Sequence, residues 1–316
     1  MAHMIDTTTG RAAMAYAGKT PWHGLGQSLT EGATIEQWTR EAGLAYTVKE
    51  SPVLFRTEAA SEPEVFTGRK VLHRSDTGGA LAVVSDGYHV VQPAEVMGFF
   101  EKLVQLGGFQ LETAGALSHG KRVWALASVG AGADVVDGDT VKPYLLLGTS
   151  YDGTMATVAK FTTIRVVCNN TITAAVADQS AAVRVLHSER FDADRVRLEL
   201  GIVADNWERF LVQSRKLAAV PMAAAEADAF VAELLKPYHS STLAVTDTRA
   251  YKRIMSLFNG ASIGHGLTGQ TRWGMLNAVT ELVDHERGRS DNTRLESAWF
   301  GTGAAMKTRA LELLSA

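Results

Sequence analysis

Cys168 is the only cysteine in the 316-residue chain. Its isolation excludes an intrachain disulfide and any zinc site built from several thiolates, and it fits a reducing cytoplasm. No run of about 18 apolar residues occurs, so no membrane span is expected. The opening MAHMIDTTTG lacks the charged-then-apolar layout of a secretory signal. None of the nine histidines has a second at helical i, i+4 spacing, and neither HExxH nor CxxC is present, so no metal and no cofactor is expected. Excess charge is also scarce. With 31 basic and 34 acidic residues the net charge is −3, which excludes a globally basic nucleic-acid coat. Any anionic partner must be met by a local patch.

What is abundant is apolar residues, 46% of the chain, enough to bury a full core in one large domain or two of ordinary size. Up to about residue 185 short β-branched runs alternate with turn clusters, and Tyr46 to Phe55, Val65 to His73, Ala80 to Val84, Lys121 to Val129 and Tyr144 to Ser150 read as strands. One helix interrupts them, PAEVMGFFEKLVQLGG, with Val96, Phe99, Phe100, Leu103, Val104 and Leu106 as its apolar face. From about residue 192 the pattern turns helical. Val196, Leu200, Val203, Trp207, Phe210, Ser214 and Leu217 form a heptad-like seam that either contacts another subunit or packs inside its own domain. Four further helices are expected in AAAEADAFVAELLKPYH, TRAYKRIMSLFNG, TRWGMLNAVTELVDHERG and AMKTRALELLSA. The expected fold is α+β: a curved antiparallel β-sheet with a long hairpin and packed helices over residues 1–188, then a mainly helical region over 189–316.

The clearest local unit is YLLLGTSYDGTMATVAKFTTIRVVC, in which Asp152-Gly153 supplies a turn between two β runs and the second run carries Lys160 and Arg165. It is long enough to be partly exposed. Asn169 and Asn170 are expected at a strand-to-helix junction, because asparagine tolerates unusual backbone angles and caps the first free amides of a helix, here ITAAVADQSAAV. The same helix start, with Lys160 or Arg165 nearby, could receive a phosphate. Cys168 follows Val166 and Val167, which suggests a buried thiol; the alternative is a nucleophile.

GALSHGKR has the spacing of a phosphate-binding P-loop, but Arg122 stands where the motif needs Ser or Thr and RVWALASV continues as a strand. A hairpin turn carrying Lys121 and Arg122 is expected instead. In PWHGLGQ, Trp22 and His23 sit among glycines, where the indole can stack on a base or anchor the segment in the core. For TRWGMLN the core reading is favoured. Glu281 and His285 share a helix face and are expected to make a surface contact. The arginines of RVLHSERFDADRVRLELG are nearly cancelled by its acidic residues, which predicts a solvated, salt-bridged face.

PWHGLG, YLLLGTSYDGTMA with TIRVVCNNT, and TRWGMLNAVTELVDH together resemble the phage/plasmid-like family that carries domain of unknown function 932. The resemblance implies a setting in mobile-DNA biology, and the layout is in turn similar to Rad52-like single-strand annealing proteins, which hold single-stranded DNA in the basic groove of a ring or filament. It implies as partners single-stranded DNA, further copies of the chain, and a phage exonuclease or single-strand-binding protein, with no membrane. Lys160, Arg165, Asn169, Asn170, Lys121, Arg122, Trp22 and His23 are then the candidate DNA contacts. The alternatives are a hydrolase using Cys168 or a histidine-carboxylate site, and a scaffolding protein of a mobile element.

Overall fold

The computed structural model describes residues 5–18, 20–21, 24–58, 62–106, 108–165, 170–173, 182–200, 203–239, 244–287 and 297–316. The fold is α+β, with mixed sheets and a C-terminal cluster of helices. Two compact units are formed by interleaved segments: Met1–Val129, Leu145–Lys160 and Ala182–Leu200 in the first, Gly130–Tyr144, Phe161–Ala181 and Gly201–Ala316 in the second.

The first unit contains β1 (Met14–Ala17), β2 (Gln27–Leu29), α1 (Ile35–Glu41), β3 (Val48–Phe55), β4 (Glu64–Arg74), β5 (Ala80–Ser85), α2 (Pro93–Leu106), β6 (Phe109–Leu117) and β7 (Arg122–Val129). After β8 (Ala133–Asp134), which belongs to the second unit, the chain runs through β9 (Thr140–Ser150) and β10 (Thr157–Arg165), whose residues are divided between the units. Within the first unit the main sheet has the order β10-β9-β7-β6-β1-β2, and β12 (Ala182–Val185) pairs with the first half of β10. β1 and β2 run parallel and the pairs β1–β6 and β6–β7 antiparallel, so the sheet is mixed rather than wholly antiparallel. Its ends do not meet. A separate sheet has the order β3-β4-β5.

The core follows from the apolar patterning. Val96, Phe99, Phe100 and Leu103 of α2 are buried as its helical period predicts, whereas Val104 is exposed. α1 is closed at its start by a capping box: the Thr34 side chain accepts from the Gln37 amide while Gln37 reaches back to the Thr34 N–H. In β10, Thr157, Val158, Ala159, Phe161, Thr162 and Thr163 are all buried. Lys160 and Ile164 are half-buried, so the strand is exposed only in part, as expected. Pairing on both sides removes both edges from solvent, and a strand covered on both faces carries a continuous rather than an alternating run.

A correction concerns residues 170–173. Asn170–Thr173 form a strand, β11, antiparallel to the second half of β10 in the register Arg165↔Asn170, Ile164↔Thr171, Thr163↔Ile172 and Thr162↔Thr173. The helix cap assigned to Asn170 is not formed. β-branched Thr171, Ile172 and Thr173 suit a ladder with an equally β-branched partner better than a first helical turn. Ala182 and Val183, at the end of the proposed helix, belong to β12, and residues 174–181 and Cys168 lie outside the described residues.

α3 (Ala193–Leu200) belongs to the first unit and bears the predicted salt-bridged face: Arg195 pairs with Glu199 at 2.7 Å and Glu189 at 3.8 Å, and Arg197 pairs with Asp194. The second unit contains α4 (Val203–Ala219), α5 (Ala224–Leu235), α6 (Arg249–Ser256), the single turn α7 (His265–Thr268), α8 (Arg272–Glu281) and α9 (Thr302–Ser315). α8 is buried from Trp273 to Glu281 and forms the centre of the cluster. Trp273 donates through Nε1 to buried Asp139 at 2.8 Å and meets Phe210 of α4 edge-on, with ring centroids 6.4 Å apart. The α4 part of the heptad-like seam thus serves its own unit, with Phe210, Ser214 and Leu217 buried there, whereas Val196 and Leu200 belong to α3 in the first unit. Glu281 is buried as well and accepts from Ser262 Oγ at 2.5 Å, so the expected surface contact with His285 gives way to an internal role.

Candidate functional site

The TSYDGTMAT segment makes a turn that is tied down at almost every residue. Asp152 Oδ1 accepts from the Thr154 amide at 3.1 Å and from the Thr154 hydroxyl at 2.5 Å, and Gly153 takes a φ of 73°, open to glycine at no steric cost. Ser150 Oγ donates to the Met155 carbonyl at 2.8 Å, and Thr149 and Thr157 share a buried hydroxyl bond of 2.8 Å. Outside groups add to this. The Tyr88 hydroxyl donates to the Ser150 carbonyl at 2.7 Å. His187, stacked on Tyr88, places its Nε2 3.1 Å from the Met155 carbonyl and its Nδ1 3.0 Å from the His89 carbonyl.

The β6–β7 turn lies against this one. Ser118 and His119 have φ of 55° and 62° without being glycines, a conformation uncommon for side-chain-bearing residues, in the four-residue loop between Leu117 and Arg122. The Tyr151 amide donates to the Lys121 carbonyl at 2.8 Å, which joins the two turns. Arg122 then reaches across and donates from Nη2 to Thr154 Oγ1 at 2.7 Å. Burial pulls the Asp152 carboxyl upward, but the Thr154 hydrogen bonds and the Arg122 charge outweigh it and hold the group below the usual range. The result is a braced double turn on which Lys121 and Arg122 are half-buried while His119, Gly153 and Thr154 are exposed.

Beneath it sits a buried ion cluster. Arg74 is buried together with Asp6; its guanidinium bonds Asp6 and Asp76, the latter at 2.7 Å from Nη2, and lies 4.0 Å over the Tyr46 ring. Burial raises the Asp6 carboxyl, and bonds from Thr8 and Arg74 more than reverse this. The hydrogen bonds from Arg74 hold Asp76 low. Gly120, φ 86°, is required by this packing, since a Cβ there would stand 2.7 Å from Arg74 Nη1. Thr8 also lies 3.3 Å from His119 Nδ1, so the cluster supports the exposed histidine. Tyr151 is fully buried, its phenol pushed well above the ordinary value by desolvation, and its hydroxyl finds no partner among the described residues.

A family model, Domain of unknown function (DUF932), matches residues 80–299, more than half of the chain and both turns. The chain belongs to the DUF932 family. No curated protein and no solved structure matches it.

Within the DUF932 region the candidate residues are distributed unevenly. Lys121 and Arg122 come together with the Asp152–Thr154 turn in the first unit. Lys160 is also in the first unit, half-buried in β10 opposite Ala182 of β12. Arg165 and Asn170 are register partners in the second unit. Asn169 lies outside the described residues, as do Trp22 and His23, which precede the DUF932 match. Sequence reasoning missed Asp6, Arg74, Asp76 and His187. Only the pair Arg74 and Asp76, flanking Ser75 before Thr77-Gly78-Gly79, carried a local signal.

Proposed function

We propose that this DUF932 chain is a single-stranded DNA-binding and annealing protein of a phage or other mobile element, working as a homo-oligomer in recombination or replication. The observation that carries the reading is the braced double turn, which ties Arg122 to the Thr154 hydroxyl and fixes the backbone of neighbouring Lys121, with His119 exposed, so that less freedom is left to lose on binding. Cations and hydroxyls at fixed spacing suit phosphate oxygens and leave bases free to pair. Lys160, Arg165, Asn169 and Asn170 would add contacts along the strands, and Trp22 and His23 a stacking surface. A curved groove like that of Rad52-like annealing proteins belongs to this proposal, as does a phage exonuclease or single-strand-binding protein as partner. Repetition around an oligomer lets a few cations per copy act together although each chain carries −3.

Mixing two complementary labelled oligonucleotides tests it. The chain should speed duplex formation without nucleotide hydrolysis, and the Lys121→Ala/Arg122→Ala variant should lose about tenfold or more of that rate, as expected for two lost charge-assisted contacts. A chain that leaves the rate unchanged, or a double variant as active as the parent, would rule the proposal out.

A further inference from the structure

The β3-β4-β5 sheet projects apolar side chains into solvent. Leu54, Phe55, Val65, Phe66 and Val83 are between 41% and 56% exposed. At the far end of the β3–β4 ribbon the register pairs Val53 with Phe66, Leu54 with Val65 and Phe55 with Glu64. Alternation along the strands therefore puts Val53, Phe55 and Phe66 on one side and Leu54 and Val65 on the other. Phe55 and Phe66 meet edge-on at 6.3 Å, with no further ring against them among the described residues. A ribbon apolar on both sides has the composition of strands covered on both sides, yet here both are bare.

The two ends of this sheet are complementary to each other. The tip carries exposed Glu58, Glu62 and Glu64 against a single Arg56. Near the base the register places Lys49, Ser51, Arg69, Val71, His73, Val83 and Ser85 on one face, opposite the face that buries Val48, Leu72, Arg74 and Val84. Lys70 is already paired with Glu50 at 2.9 Å, so Lys49 and Arg69 give the base its positive excess around the Val71–Val83 pair. The tip is thus apolar and acidic, the base apolar and basic. Seven steps of extended chain lead from Lys49 to Arg56, roughly 24 Å, so the tip cannot meet Lys49 of its own copy, while Arg69 lies midway, beside the Pro52–Lys70 pair.

We infer that the β3-β4-β5 sheet is a self-association surface on which a second copy of this chain docks in antiparallel orientation, the tip of each ribbon on the basic face of its partner. A two-fold axis makes this contact twice and closes it, which is the geometry of an isologous dimer. The acidic tip opposes docking on a polyanion or an anionic bilayer. The inference concerns the oligomer in the functional proposal, but it does not depend on DNA being bound.

Sedimentation velocity of the full chain in buffer free of nucleic acid is the test. The parent should be dimeric or larger at about 10 µM, a concentration that detects micromolar affinity. Phe55→Ser/Phe66→Ser should weaken association at least about tenfold. Its thermal melt should be unchanged, because both rings lie outside the core. Glu58→Lys/Glu64→Lys should dissociate the assembly, and adding Lys49→Glu/Arg69→Glu to the same chain should restore it. A parent that stays monomeric at about 100 µM overturns the inference. So does a tip variant that assembles as tightly as the parent, or a monomeric parent that binds phosphatidylcholine vesicles through Phe55 and Phe66. A chain that assembles but ignores oligonucleotide refutes the DNA reading and leaves this one standing.

Discussion

Replacing Arg74 by methionine would strip Asp6, a carboxylate with a side chain 1% exposed, of its cation. Breaking a buried pair from one side costs about 3–5 kcal/mol, which should appear as a lower urea midpoint. The pH dependence has a definite sign. Asp6 and Asp76 are held below their unfolded values, so their stabilisation is complete above the ordinary carboxylate range near pH 4 and is lost as pH falls through the folded values. The gap between parent and Arg74→Met should therefore be widest near neutrality and close in acid; a gap that widens below about pH 3 would contradict the assignment. Gly120→Ala should cost about 1–3 kcal/mol, because the methyl group meets Arg74 at a φ that L-residues resist. These residues were largely illegible in the sequence. Asp6 and Arg74 are 68 positions apart, and a pairing at that separation leaves no periodic trace.

At the scale of elements, Phe210→Ala in α4 should lower stability by about 3–5 kcal/mol, as for any fully buried ring. It should leave the assembly state of the folded chain unchanged, because this face is already filled by Trp273. Loss of the dimer at concentrations where the variant is fully folded would return the helix to the interface. For β11, carbon chemical shifts of Thr171, Ile172 and Thr173 should fall in the extended range; helical shifts would restore the junction that the asparagines suggested. Most elements were readable where a period ran long enough, as in α2, α5, α8 and the β3, β4, β5, β7 and β9 strands. Period could not show what lies on either side of a strand. The start of β11 was misjudged because it depends on a partner strand, and the β3–β4 ribbon read as ordinary strands although much of it stands in solvent. The candidate site was legible in part: the Asp152-Gly153 turn and the hairpin at Lys121 and Arg122 were, but their meeting was not, since it rests on the Tyr151 amide reaching the Lys121 carbonyl.

On the scale of the whole molecule, a chain of net charge −3 that holds a polyanion must concentrate its cations and repeat them. In the function proposed, the braced double turn would answer the first need and the ribbon sheet the second. Oligonucleotide affinity measured across a salt series tests the account most directly. The logarithm of affinity should fall linearly with that of salt, by about 0.7 for each phosphate neutralised on single strands, and Lys121→Ala/Arg122→Ala should make the slope shallower by about 1.4 per chain. Affinity that is undetectable at low salt, flat across the series, or identical in parent and double variant would contradict it.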